Sequence, residues 1–386
     1  MNMESTPSYN FIDVLWAPVR ALSPKRIFVM TFFLCVALIT YDIFTYLAYA
    51  VDRGGVGFVW SAYGLLPPLA TGLGSLAAKI IYGAGLFLSI LAVMLGFFAV
   101  SAIEIEKLRG NPFLSIRESV KFAFSRFTQI LLSELAIVLF MVFLLVVFWL
   151  FGLIGRIPHV GEWVVAFFFL FPGFIVAMVG IFIFVVFQVS VILLPAVSAA
   201  DRHGETFNAI LETFSTLIRQ PFRWVGYTVY ALVTSKLAGF VYAYACLRAV
   251  EFSVAAATAG GGDKIERLFK SGLAHLPVNG SVAKGIFNVF PGIDWSFSLG
   301  HWMRGGTDQA AGYLMAVMLF LIFASIIGYM LSVIATAQAR GYVAIRFIKD
   351  SHRIGDEKPL FYEEEHVNPP LEGEPIIEGV QPTEGE

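Results

Sequence analysis

Residues Phe207–Tyr227 read FNAILETFSTLIRQPFRWVGY. This is a polar-faced helical segment that ends in a basic turn around Pro221 and runs straight into an apolar span. The same order recurs along the chain. Ala99-Val100-Ser101-Ala102 ends one apolar run and Ala196-Val197-Ser198-Ala199 ends another. After each come Gly110 or Gly204, then Phe113 or Phe207, with Ile116 matching Ile210 and Glu118 matching Glu212 within a residue. Upstream, Phe11 and Val14 take the Phe and Ile places, and Pro24-Lys25-Arg26 answers Pro221-Phe222-Arg223. The chain therefore reads as three copies of interfacial helix, span, outer loop, span, a kind of internal duplication common in membrane folds.

Composition sets the solvent. Of 386 residues, 58% are hydrophobic and 14% charged, with 38 phenylalanines, whereas soluble domains carry about 25% charged residues. No fold of this length hides that much apolar surface from water, so lipid must solvate much of it. The net charge of −2 gives no global basic surface, and no nucleic-acid partner is expected. Cys35 and Cys246 both fall in apolar runs and read as buried thiols, not a disulfide framework.

Six spans follow from hydropathy and length, since a bilayer core needs about 20 apolar residues. Residues 1–26 form an N-terminal segment whose stretch Asn10–Arg20 reads as a short interfacial helix, with Phe11, Val14, Leu15 and Trp16 on its apolar side. The first span is Ile27–Ala50. Ala48-Tyr49-Ala50 resembles a cleavage site, but the apolar run is too long for a signal peptide and is kept as an uncleaved span. Gly/Pro-rich residues 52–79 read as an interfacial loop. The next spans are Ile80–Ile103 and Ile130–Ile154. Val164–Ala199 is too long for one straight span and is interrupted at Phe171-Pro172-Gly173. It is either one kinked or tilted span, or an interfacial segment before a span. Trp224–Val250 and Gln309–Ala339 complete the set, separated by a long outer loop, 251–308. The membrane domain covers 27–350, and the acidic segment 351–386, with Glu363-Glu364-Glu365, is expected to be a disordered tail. The fold class is all-α: a polytopic bundle of about six transmembrane helices with amphipathic helices on the cytoplasmic face.

Basic residues set the orientation. Connections 104–129 and 201–223 carry Lys107, Arg109, Arg117, Lys121, Arg126, Arg202, Arg219 and Arg223, against Arg156 alone in the short turn 155–163. The positive-inside rule then places both termini in the cytoplasm. Phe113–Phe127 and Phe207–Ile218 should lie on the inner leaflet, with Arg117, Lys121, Arg126, Arg219 and Arg223 near anionic head groups.

Ionisable groups inside spans are costly unless paired or wet. Asp42 lies about 16 residues into the first span and Lys236 about 12 into the fifth, roughly 24 and 18 Å deep at 1.5 Å per residue. Their similar depths suggest an ion pair between spans one and five. Glu134 sits about one turn inside the third span. Together these three are the candidate polar path, or else a bundle-locking pair plus a snorkelling glutamate. Gln188, Gln338 and Ser133 read as interhelical hydrogen-bonding groups. Histidines 159, 203, 275, 301, 352 and 366 have no partner at ligand spacing, and no HExxH, GxSxG, Walker or GxGxxG pattern occurs. No catalytic residue, metal ligand or cofactor is assigned. The aromatic stretch Phe287–Met303 reads as an outer plug over the bundle or a surface for a partner or lipid.

The AVSA span ends, the Gly-x-x-Phe helices and the exit Ala337-Gln338-Ala339-Arg340-Gly341-Tyr342-Val343-Ala344-Ile345-Arg346 resemble uncharacterised six-span bacterial integral membrane proteins. They are also similar to the membrane domain attached to some glycerophosphodiester phosphodiesterases. The catalytic domain of those enzymes has no counterpart here, so the resemblance implies membrane embedding, a bacterial inner membrane and no enzymatic residue. The expected role is a non-enzymatic scaffold or accessory subunit with membrane lipids and another membrane protein as partners. The alternative is a transporter or lipid-translocating protein using Asp42, Glu134 and Lys236.

Overall fold

The computed structural model describes residues 8–276, apart from 65, 68 and 71, and residues 307–361. Among these residues it contains thirteen helices and no strand. Two short helices, α1 (Phe11–Leu15) and α2 (Ala17–Ala21), precede α3 (Pro24–Arg53) and the small α4 (Gly57–Tyr63). Then come α5 (Leu76–Leu108), α6 (Ile116–Ser125), α7 (Phe127–Ile154), α8 (Val160–Leu170) and α9 (Pro172–Ala200). The last are α10 (Thr206–Arg219), α11 (Pro221–Gly261), α12 (Asp263–His275) and α13 (Thr307–Asp350). Helices α3, α5, α7, α9, α11 and α13 are long and apolar enough to cross a membrane, so the chain is a multi-pass, all-helical membrane protein.

Proline punctuates the bundle. α3, α9 and α11 each begin with a proline in the first turn, where the missing N–H has no partner to lose. Pro172 thus ends α8 at Leu170 and starts α9, so the long apolar run 164–199 is a short helix followed by a span. Gly54 closes α3 in the left-handed conformation at φ +72°, a cap that a Cβ disfavours. Two sequence boundaries move. Residues 251–261 continue α11, and 263–275 form α12, so much of the expected outer loop is helix. The aromatic stretch 287–303, His301, His366 and the tail from 362 lie outside the described residues.

Helices α5, α9 and α13 pack on one another, while α3, α7 and α11 lie outside them against α5, α9 and α13 respectively. Of the most apolar window in each helix, 72% is buried for α5 and 6% for α7. The packing is concentrated at the face where residues 8–26 and 340–361 lie. There, residues 94–106 of α5, 193–200 of α9 and 332–345 of α13 are buried without interruption. A helix buried on every side needs small residues for close approach. Ala99, Ser101 and Ala102, Ala196, Ser198 and Ala199, and Ala335, Ala337 and Ala339 supply them.

Before each pair of spans, short helices dock on this core through two small residues one turn apart. These are Ala17 and Ala21, Ser119 and Ala123, and Ala209 and Thr213, none of which retains accessible surface. Their large apolar residues turn outward instead. Ile12, Trp16, Val19, Phe124, Phe207, Leu211 and Ile218 are exposed, as suits helices lying in a membrane interface. Val14, expected on the lipid side, is buried in the core.

Close approach is tightest between α3 and α5. A Cβ on Gly85 would collide with the Cβ and ring of Phe44, and one on Gly96 with Met30 and Phe33. The first collision is with a backbone-anchored atom that cannot swing aside. Gly85→Ala should therefore destabilise the bundle by about 1–3 kcal/mol, read as a lower melting temperature in detergent. Gly226→Ala on α11, where a Cβ meets nothing within 4 Å, should not lower it. Equal melting temperatures for the two variants would refute the α3–α5 contact.

Candidate functional site

The buried core carries charge at its end. Glu104 lies in the last turns of α5, fully buried. Arg340 from α13 donates to its carboxylate, Arg26 from the first turn of α3 forms an ion pair with it, and Arg20 from α2 approaches to 3.9 Å. Arg26 and Arg340 are themselves buried, and Arg20 is half-buried. Arg26 also donates to the Arg20 carbonyl at 2.8 Å, and Arg20 to the Asp13 carbonyl at 3.3 Å. Burial and the neighbouring Arg340 pull the Arg20 guanidinium below its ordinary value, while Glu104 and Asp13 oppose the shift. Tyr230 and Tyr329 donate to the carbonyls of Leu15 and Pro18, both at 2.9 Å. The α1–α2 segment is thereby fastened across α11 and α13.

A second network stands beside it. Arg109, just past α5, bonds Glu106 at 3.0 Å, the Ala200 carbonyl at 2.8 Å and Glu357 at 2.5 Å. His352 contacts Glu357 at 2.7 Å. Glu106 accepts from the Leu360 amide, Asn111 donates to the Phe361 carbonyl, and Phe122 packs edge-on against Phe361. Residues 351–361, which composition assigns to a free tail, are thus held across the ends of α5 and α9. On the third side, Asp201 accepts the amides of His203, Gly204 and Glu205. Glu212 on α10 receives bonds from Lys349 at 2.6 Å and from the buried Tyr342 hydroxyl at 3.2 Å.

The three intramembrane candidates fall in separate places. Asp42 and Lys236 form no ion pair among the described residues. Lys236 is exposed on α11, and α13 packs against both α3 and α11, with Gly328 against Thr31 and Met330 against Gly239. One oxygen of Asp42 is buried without a hydrogen-bond partner. Glu134 is 1% exposed, and neither of its oxygens has a partner. It does not snorkel. The nearby Ser190 hydroxyl on α9 donates to the Phe187 carbonyl at 2.7 Å instead.

Of the basic residues assigned to the inner leaflet, Arg117, Lys121, Arg219 and Arg223 are exposed. Arg126 is half-buried, donating to the Arg202 carbonyl at 2.8 Å, with its guanidinium over Phe122. Gln338 donates to Thr228 at 2.8 Å and Ser133 to the Thr206 carbonyl at 3.5 Å, while Gln188 is exposed. No family model, curated protein or solved structure matches the chain.

Two outcomes test these networks. Glu104→Ala leaves Arg26 and Arg340 buried without their carboxylate and should cost about 3–5 kcal/mol, measured as loss of folded protein in detergent. A change below about 1 kcal/mol would mean that the guanidinium groups reach solvent. The second outcome concerns pH. Burial raises the Glu357 carboxyl, but the His352 bond and the Arg109 charge outweigh it, so the net shift is downward. Such a group contributes stability that is full above the ordinary carboxylate value of about 4.3 and is lost as pH falls through the lowered value. A spin label at Lys358→Cys, in a background lacking Cys35 and Cys246, should be immobilised at neutral pH and mobile in acid. Arg109→Gln should free it at neutral pH as well. A label equally mobile at both pH values in the Arg109 protein would rule out the docked segment.

Proposed function

We propose that this chain is a non-enzymatic scaffold or accessory subunit of a membrane complex, in a bacterial inner membrane with both termini cytoplasmic. The observation that carries the reading is the use of the buried polar groups. Arg20, Arg26, Glu104 and Arg340 join helices to one another at one face, and Arg109 joins the end of α5 to Ala200 of α9. Asp42, Glu134 and Lys236 form no ion pair or hydrogen bond with one another among the described residues. At the opposite end, α11, α12 and α13 leave an apolar cavity of about 490 Å³ lined by Ala249, Val254, Ala257, Phe269, Met315 and Met318. Methionine-rich apolar surfaces adapt to a partner's side chains, and the reading assigns this one to an apolar helix of another membrane protein.

The three-copy organisation supports the same role. In each copy, a short helix docked by two small residues precedes two long helices, and the second long helix is central. The excess of basic residues at 104–129 and 201–223 supports the orientation. A second reading, a transporter or lipid-translocating protein, rests on one observation: the Glu134 carboxylate buried with no partner.

A mild-detergent pull-down of the tagged protein from native membranes separates the two. The expected result is a membrane protein in fixed stoichiometry that is lost when Ala257→Trp fills the cavity. Recovery of the chain alone with one enriched small molecule or lipid, in an amount that Glu134→Gln reduces, would replace the scaffold reading with the transport one.

A further inference from the structure

We infer that Arg20, Arg26 and Arg340 form a binding site for a phosphate group at the end of the bundle where α2, the start of α3 and the end of α5 meet α13. The first argument is charge. Three guanidinium groups converge on Glu104, and the other acid beside them is Asp13, whose carboxylate already accepts from the Tyr9 amide at 2.8 Å. Among the described residues, three positive groups therefore meet two negative ones in a largely dry environment. Buried charge of one sign is unfavourable until an opposite charge joins it.

The second argument is an unmet donor. Arg26 is 4% exposed, and its Nε is buried without a hydrogen-bond partner, as is the Glu104 Oε2 with which it forms an ion pair. Native interiors rarely leave such a donor idle. The third is access. Arg20 is half-buried and lies on α2 between Val19 and Leu22, both about half exposed, with Trp16 exposed one turn earlier. A guanidinium framed by apolar side chains in an interfacial helix suits a phosphate whose acyl chains lie against those side chains. The planar fork of arginine matches phosphate oxygens in pairs. The chemistry recognised is a phosphate monoester or diester, from a phospholipid head group or from free phosphate. This inference does not depend on the scaffold reading.

The test uses the full-length protein in detergent, with binding followed by native mass spectrometry and melting temperature. Three probes are compared: phosphatidylglycerol, a diacylglycerol with the same acyl chains, and inorganic phosphate. Phosphatidylglycerol should bind and stabilise, and the diacylglycerol should not. Inorganic phosphate that raises the melting temperature to the same extent assigns the site to free phosphate, and a response to the phospholipid alone assigns it to a head group. Arg20→Gln should weaken the phosphate-bearing probe about tenfold, with Arg20→Lys recovering part of the loss. The inference fails if phosphatidylglycerol and inorganic phosphate bind no better than diacylglycerol. That comparison needs no variant. It fails equally if the folded Arg20→Gln protein binds as the wild type does.

Discussion

Glu104 is the residue on which the closed end of the bundle depends. In lipid, apolar side chains gain little by leaving the solvent for one another, so helices associate through close backbone approach and polar bonds. The structure uses both devices at one face. Small residues bring α5, α9 and α13 together, and the Glu104 carboxylate then draws in arginines from α2, α3 and α13. Neither device would serve alone. Without the alanines and serines the helices could not come close enough for Arg340 to reach α5. Without the carboxylate the close approach would bury cations against one another. The opposite half of the bundle has less to hold it: only 6% of the most apolar window of α7 is buried, and the packing of α3, α4 and α5 there is a small separate cluster.

Much of this architecture was legible because lipid imposes simple rules. Span length, apolar composition and proline position located all six long helices to within a few residues at most ends. Amphipathic patterning marked the short helices. It set their apolar side toward lipid but did not mark which small residues would dock. In α10 these are Ala209, Thr213 and Thr216, buried while Phe207, Leu211 and Ile218 face out, because lipid accepts the phenylalanine and the core accepts only what is small. Residues 251–261 were misread for a related reason: their modest hydropathy suits a loop in water, and helix α11 continues through them regardless.

The polar residues were harder to place, and the reason is geometric. Depth along a span can be counted from sequence, but direction around it cannot. Asp42 and Lys236 have similar depths and still face different surroundings, because α13 packs against both of their helices. The Glu104 network escaped notice for the opposite reason. Arg20, Arg26, Glu104 and Arg340 are spread over more than three hundred positions, and each stands in a stretch that reads as an ordinary membrane boundary, where basic residues are expected for orientation alone. The one signal available was the small-residue run ending at Ala102, two residues before Glu104. A glutamate directly after a run built for close packing has little chance of reaching water.

The short helices α2, α6 and α10 dock in the same way and differ in the charge beside them. Each docks through two small residues at a spacing of four. At the first, arginines from α2, α3 and α13 turn inward to Glu104. In the second, Arg126 is held by the Arg202 carbonyl and over Phe122. In the third, Glu212 is met by Lys349 and Tyr342 from α13. The docking is therefore common to all three, and the excess of buried positive charge belongs to the first alone. A charge imbalance needed to hold a helix in place would be expected beside each of the three. Its confinement to the first argues that Arg20, Arg26 and Arg340 do something beyond fastening α2.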